Sequence, residues 1–259
     1  MNATPRNLSH SAATGAKQAP PGIRIDGLTL RYGDRTIFEN LTFEIKSGEF
    51  IALLGSSGVG KSSLLKIIAG LARPTSGTVK GSDGQPITGR LAYMGQQDLL
   101  YPWLNVIENV TLGARLRREK VDRDYADHLL ERVGLAGRQK ALPMALSGGM
   151  RQRAAIARTL YERRPIVLMD EPFSALDAIT RASVQELAAE LLDGCTALLI
   201  THDPMEAARL GHHLMVLSGH PARLGETITV AGQPPRAPDD PNLQKSQGEL
   251  LRMLMEIER

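Results

Sequence analysis

FIALLGSSGVGKSSLLKIIAGL, residues 50–71, falls into three parts. FIALL is wholly apolar over a strand's length, the pattern of a strand buried on both faces. GSSGVGKS, residues 55–62, fits G-x-x-x-x-G-K-[ST]. Its glycines let the backbone N–H groups of Gly55, Ser56, Ser57, Gly58, Val59 and Gly60 converge on phosphate oxygens without side-chain obstruction. The remainder, with Ser63 in its first turn, reads as a helix that points the positive end of its dipole at the nucleotide. Lys61 then reaches the β and γ phosphates, and Ser62 offers its hydroxyl to Mg²⁺. A buried strand, a glycine-rich turn and a helix in this order predict a nucleotide-binding α/β domain.

Two further apolar runs of strand length, in PIVLMDEP (residues 165–172) and TALLITHDP (residues 196–204), flank the helix-like AITRASVQELAAELL. That alternation predicts a parallel sheet with right-handed crossovers. Asp170 then falls at a strand end beside the phosphate loop, where it can hold magnesium through water. Glu171 points at the γ-phosphate region, free to accept a hydrogen bond from the attacking water. His202 emerges at the same sheet edge and can donate to the γ-phosphate. His212 and His213 have no such placement and are assigned no role.

With 42% hydrophobic and 23% charged residues in 259, the chain can bury the core of one large domain or two small ones. Aromatic residues make up only 4%, which argues against a stacking platform for single-stranded nucleic acid. The 31 basic and 28 acidic residues are interspersed, leaving a net charge of +3, so a mixed solvated surface is expected and no nucleic-acid partner. The lone Cys195 can build neither an intramolecular disulfide nor a cysteine-rich metal site, and is expected as a small core residue in a reducing compartment. No apolar run approaches the roughly 18 residues of a membrane helix.

Residues 1–22 lack the apolar segment of a secretory signal and are expected to be a disordered tail. The stretch from Ile23 to Gly55 alternates apolar and polar residues between turn signals, predicting several short strands. Between about Leu99 and Leu146 the strand signal fades. Ala126, Leu129, Leu130 and Val133 share a helical spacing there, so a helical insertion is expected. A proline-rich break at residues 232–241 precedes a last helix, 242–259, with Leu243, Leu250, Leu254 and Ile257 on one face.

LSGGMRQR, residues 146–153, is a second anion-binding helix start, in which the Ser147 hydroxyl, the Gly148 and Gly149 amides and the helix dipole add. One nucleotide does not need two such loops from one chain. Two chains head to tail, each capping the other's ATP, is the economical arrangement.

Phosphate loop, Gln96, LSGG, DEP, SALD and THD occur here in one order, and over residues 23–231 the chain resembles the ATP-binding subunits of ABC transporters. The resemblance implies an α/β P-loop NTPase cassette with a mainly parallel central sheet, an N-terminal antiparallel β subdomain and a helical subdomain at about 99–155. It also implies ATP and Mg²⁺ as ligands. Tyr32 is placed like the family's adenine-stacking aromatic, Gln96 like the glutamine that touches Mg²⁺ and senses the γ-phosphate, and Asp177 like its D-loop acid. Ser147, Gly148 and Gly149 would bind the other subunit's γ-phosphate. Lys61, Gln96, Glu171 and His202 are the implied catalytic set, and Ser62, Gln96 and Asp170 the magnesium set.

The segments DLLYPWLNVIENV and DEPFSALDAITR look most like importers of nitrate, sulfonates, taurine or thiamine pyrimidine precursors. An exporter or lipoprotein-release motor and a soluble ABC ATPase are the alternatives. The importer branch implies a homodimer bound to transmembrane permease subunits at the cytoplasmic face of the membrane, served indirectly by a substrate-binding protein. Tyr101, Pro102 and Trp103, beside Leu99 and Leu100, would border the groove that receives a permease helix. Gln97, next to Gln96, could be the functional glutamine instead, and Met150 replaces the glutamine common after LSGG. No appended regulatory domain is expected.

Overall fold

The computed structural model describes residues 19–257, so residues 1–18 of the expected tail lie outside the described residues. The chain runs β1 (Ile23–Tyr32), β2 (Arg35–Ile45), β3 (Phe50–Leu54), α1 (Lys61–Ile68), β4 (Ser76–Gly81) and β5 (Leu91–Met94). Four helices follow: α2 (Val106–Val110), α3 (Leu112–Leu116), α4 (Arg123–Arg132) and α5 (Gly148–Tyr161). The remainder is β6 (Ile166–Asp170), α6 (Ala178–Leu192), β7 (Thr196–Ile200), α7 (Pro204–Leu210), β8 (His213–Ser218), β9 (Arg223–Leu224), β10 (Ile228–Thr229) and α8 (Pro241–Ile257).

β1 and β2 are not short: they span 10 and 11 residues as one antiparallel ribbon, with β4 antiparallel on the other edge of β1. Register shifts between Ile25 and Leu28 and between Leu28 and Leu30 break the strict alternation. Such irregularities bend and twist a strand, which lets one long ribbon keep Ile23, Ile25, Leu28 and Leu30 buried.

The second sheet has the order β10-β8-β3-β7-β6-β5, with parallel pairing from β8 through to β5 and β10 antiparallel at its edge. Every residue of β3, β6 and β7 is buried, as expected for strands covered on both faces. β7 lies between β3 and β6. The registers Leu53 to Ile200 and Asp170 to Ile200 align the carboxyl ends of β3, β7 and β6 along one edge. Whatever follows those three strands therefore converges, which is how an α/β sheet builds a ligand site. The four-residue LAYM strand β5 is too short to show a period in the sequence.

The helices α2 to α5 pack on the β5 and β6 side of the sheet, where Ala126, Leu129, Leu130 and Val133 enter one cluster with Met94, Ile156 and Val167. A second cluster fills the space between the two sheets under α1. A third joins Leu243 and Leu250 of α8 to Ala207 and Ala208 of α7; the side chain of Ile257 lies outside the described residues. Arg236, before α8, is buried and donates five hydrogen bonds to the carbonyls of Val230, Ala231, Gly232, Ala208 and Gly211. The last two end α7, so one guanidinium satisfies orphan helix carbonyls and anchors the C-terminal segment.

Candidate active site

The turn after β3 is built around glycine for reasons of space as well as conformation. At Gly55 the backbone has φ of 148°, and a Cβ there would lie 2.2 Å from the Leu217 carbonyl oxygen. At Gly60, with φ of 114°, a Cβ would lie 2.6 Å from Ile37. Gly60 is the N-cap of α1 and supplies no side-chain cap, so the first-turn amides point to the loop's concave face. Lys61 Nζ donates to the carbonyls of Gly55 at 2.7 Å and Ser56 at 2.9 Å. Burial draws its pKa below the usual lysine value, while the charges of Glu171 and Asp170 act the other way.

Asp170 ends β6 almost fully buried. Burial raises its carboxyl pKa most, the Ser62 hydroxyl bond lowers it, Glu171 raises it and Lys61 lowers it. Ser62 and Asp170 thus set two oxygen donors side by side at the loop. Among the described residues no group of three or more His, Cys, Asp or Glu forms a metal cage. A pair of hard oxygens next to a phosphate cradle fits Mg²⁺, which uses few protein ligands and completes its shell with phosphate and water.

Glu171 holds a left-handed backbone with φ of 50°, a conformation that a non-glycine residue keeps only when its surroundings impose it. Its N–H donates to the Ile200 carbonyl at 2.9 Å. The Gln152 amide donates to the carbonyls of Pro172 at 2.9 Å and Glu171 at 3.4 Å, and the Ser174 hydroxyl donates to Glu171 O at 3.1 Å. These bonds aim the carboxylate. Its Oε2 stands 3.3 Å from His202 Nδ1 and 3.5 Å from Gln96 Nε2. Residues following β6, β7 and β5 therefore meet at one oxygen.

A cavity of about 450 Å³ opens there, lined by Ser57, Gly58, Lys61, Gln96, Glu171 and His202, with Gly55, Gly60, Ser62 and Ser63 completing its wall. Gln96, not Gln97, lines it. Val59 is in the core, so only its backbone is available to a ligand. Ser56 and Tyr32 stand outside the wall, Tyr32 60% exposed at the end of β1. Ser147, Gly148, Gly149 and Asp177 are absent from the wall too. Ser147 is the N-cap of α5 and accepts from the Met150 amide at 3.2 Å. Asp177 caps α6 by accepting from the Thr180 amide at 3.0 Å, which holds its carboxyl below the usual range.

Leu99, Tyr101 and Trp103 form an exposed apolar patch, the two rings 5.4 Å apart edge to face. Leu100 turns into the core. No motif that the sequence displays assigns Gln152 a role. The available signal was a glutamine on the stripe of α5 that also carries the buried Ala155, Ile156 and Thr159.

A nucleotide-sized cavity under a glycine-rich helix start, with carboxylate, imidazole and carboxamide converging on it, defines a P-loop phosphohydrolase site. The family described as ABC transporter matches residues 38–174, and the chain belongs to it. It is an ABC-type ATPase cassette. It is 43% identical over 237 residues to an uncharacterised ABC transporter ATP-binding protein of Haemophilus influenzae, covering 90% of this chain and 98% of that one. To an aliphatic sulfonates import ATP-binding protein of Rhodococcus jostii it is 41% identical over 239 residues, covering 92% and 95%. Among solved structures it resembles a dimeric ATP-binding cassette in a post-hydrolysis state bound to ADP and Pi, with TM-score 0.73 and 30% identity, covering 81% of this chain and 99% of that one.

Proposed function

We propose that this chain is the ATP-hydrolysing subunit of an importer of aliphatic sulfonates or closely similar small oxyanions. Two copies work head to tail on a membrane permease at the cytoplasmic face. The observation that carries the chemistry is the meeting of Gln96 and His202 at Glu171 Oε2, over the Lys61 loop.

In this reading the loop amides and the Lys61 ammonium hold the β and γ phosphates, and Tyr32 stacks on adenine from the exposed end of β1. Ser62 and Asp170, with Gln96 beside them, would hold Mg²⁺, which would supply charge neutralisation at the phosphates. Glu171 accepts a hydrogen bond from the attacking water and orients it along the line to the γ-phosphorus. His202 donates to a γ-phosphate oxygen, and its place against Glu171 keeps the two in register. Ser147 and Gly148, exposed, and Gly149, half-buried, all outside the wall of their own chain's cavity, close on the partner's γ-phosphate, and Asp177 lies along the same seam. The patch of Leu99, Tyr101 and Trp103 offers the permease an apolar anchor.

The sulfonate assignment rests on the names of relatives about 40% identical over most of the chain. It is tested by deleting the gene and supplying an alkanesulfonate as sole sulfur source. Growth should fail and return with the intact gene but not with Glu171→Gln. Undiminished growth of the deletion strain would remove sulfonate import from the reading and leave the ATPase assignment standing.

A further inference from the structure

Behind the His202 loop lies an ionic cluster that the reading above leaves without a task. Arg181 sits in the first turn of α6. Its Nη2 donates to the Leu176 carbonyl at 3.0 Å, in the turn that presents Asp177. Its Nη1 donates to Asp203 Oδ2 at 3.2 Å. Asp203 directly follows His202. Its other oxygen, Oδ1, accepts from the amides of Met205 at 2.9 Å and Glu206 at 3.4 Å and so caps α7, while its own N–H donates to Thr201 Oγ1 at 3.0 Å. Glu206, buried beneath, accepts from Gln185 Nε2 of α6 at 3.3 Å.

One guanidinium therefore spans two turns, the one after β6 and the one after β7. Its donors form a rigid planar fork, so the Leu176 carbonyl and the Asp203 carboxylate cannot shift relative to each other without breaking a bond. One of those bonds is charge-assisted. A point-charge ammonium on a flexible stem would hold either partner but not fix the pair.

We infer that Arg181 is a positioning residue for hydrolysis, locking the turn that carries Asp177 to the loop that carries His202, so that a partner cassette pressing on the first sets the position of the second. This rests on the head-to-tail dimer proposed above. It adds a route by which closure at the seam reaches the cavity of the same chain. The ring of His202 has room to follow, being exposed and in contact with Glu171 alone among the described side chains.

The test uses the full chain with Arg181→Met, Arg181→Lys, Asp203→Asn and the double variant Arg181→Met/Asp203→Asn. Asparagine still caps a helix, so Asp203→Asn preserves α7 while weakening the pair, and it remains informative if Arg181→Met does not fold. Steady-state ATPase, binding of a fluorescent ATP analogue and circular dichroism are measured on each. Displacements near 1 Å can cost about 10²-fold in rate, so Arg181→Met should lose at least about tenfold in kcat with nucleotide affinity and helicity unchanged. Arg181→Lys should recover part of the loss, and the double variant should be no slower than Arg181→Met. Unaltered kcat in Arg181→Met or, if that variant is unfolded, in Asp203→Asn would overturn the inference. So would losses that multiply in the double variant, or a loss confined to nucleotide binding. Failure of the parent to hydrolyse ATP, or of Glu171→Gln to dimerise with ATP, would instead remove the dimer reading itself.

Discussion

Two helices in this chain begin with a serine-and-glycine turn, and they are built oppositely. α1 starts from a left-handed glycine with no side-chain cap, inside a walled cavity where Lys61, Glu171, Gln96 and His202 converge. α5 starts from Ser147, whose hydroxyl caps the Met150 amide, at an exposed position outside the wall of that cavity. The first is a walled pocket that is open on one side. The second is a capped helix start outside that pocket. In the head-to-tail dimer proposed above, the second serves as the lid on the partner's pocket, and that difference is what makes a second copy chemically useful.

The largest expected effect breaks the pocket half. Glu171→Gln removes the carboxylate to which the proposed mechanism gives the attacking water, and kcat should fall by about 10³-fold while ATP binding persists and sedimentation shows a nucleotide-dependent dimer. Turnover within a few-fold of the parent would take the water-orienting role away from Glu171. Lys61→Ala should lower affinity for ATP by about 10²-fold, the loss of a charge-assisted contact to phosphate, and titration of the monomer with a fluorescent analogue reads this directly. Unchanged binding would mean that the phosphates sit elsewhere.

Ser147→Ala probes the lid half and should separate the two. Monomer affinity for nucleotide stays at the parental value, kcat falls by roughly tenfold as one donor to the γ-phosphate is lost, and stability drops by about 1 kcal/mol as α5 loses its cap. A weakened monomer affinity would place Ser147 in its own chain's pocket and collapse the contrast.

The smallest expected effect concerns stability behind the His202 edge. Burial raises the Glu206 pKa from 4.5 to about 7, with Asp203 adding to the rise and Thr201, Arg181 and Gln185 opposing it. The native state thus binds this proton more tightly than the unfolded chain, and stability is lost as pH climbs from the unfolded value through the folded one. Relative to the parent, Glu206→Gln should therefore gain up to about 3 kcal/mol between roughly pH 5 and pH 8, read by urea unfolding. A difference independent of pH would show that the carboxylate ionises there at no cost.

The pocket half was legible in the sequence because its determinants are local. A buried strand running into a glycine turn places Lys61 and Ser62 by chain continuity, and strand-terminal Asp170, Glu171 and His202 follow once the sheet is parallel. What stayed hidden depends on pairing across distance. Nothing in PIVLMD says that β7 would separate β6 from β3, nor that the four-residue β5 would carry Gln96 to Glu171. Gln152 is not legible in the sequence because its partners are backbone carbonyls 19 and 20 residues away, which leave no mark on residue type. The length of β1 and β2 is hidden for a related reason: register shifts divide the alternation into short pieces, each of which reads as a strand of its own.

Arg236 turns the last stretch of chain from an appendage into a lever. Because its charge is sealed among five carbonyls, two of them at the far end of the helix that begins after His202, α8 must ride with α7 as one body. A spectroscopic probe on the outer face of α8, at the exposed Leu251 for instance, would report how the histidine edge travels during turnover without touching the catalytic groups.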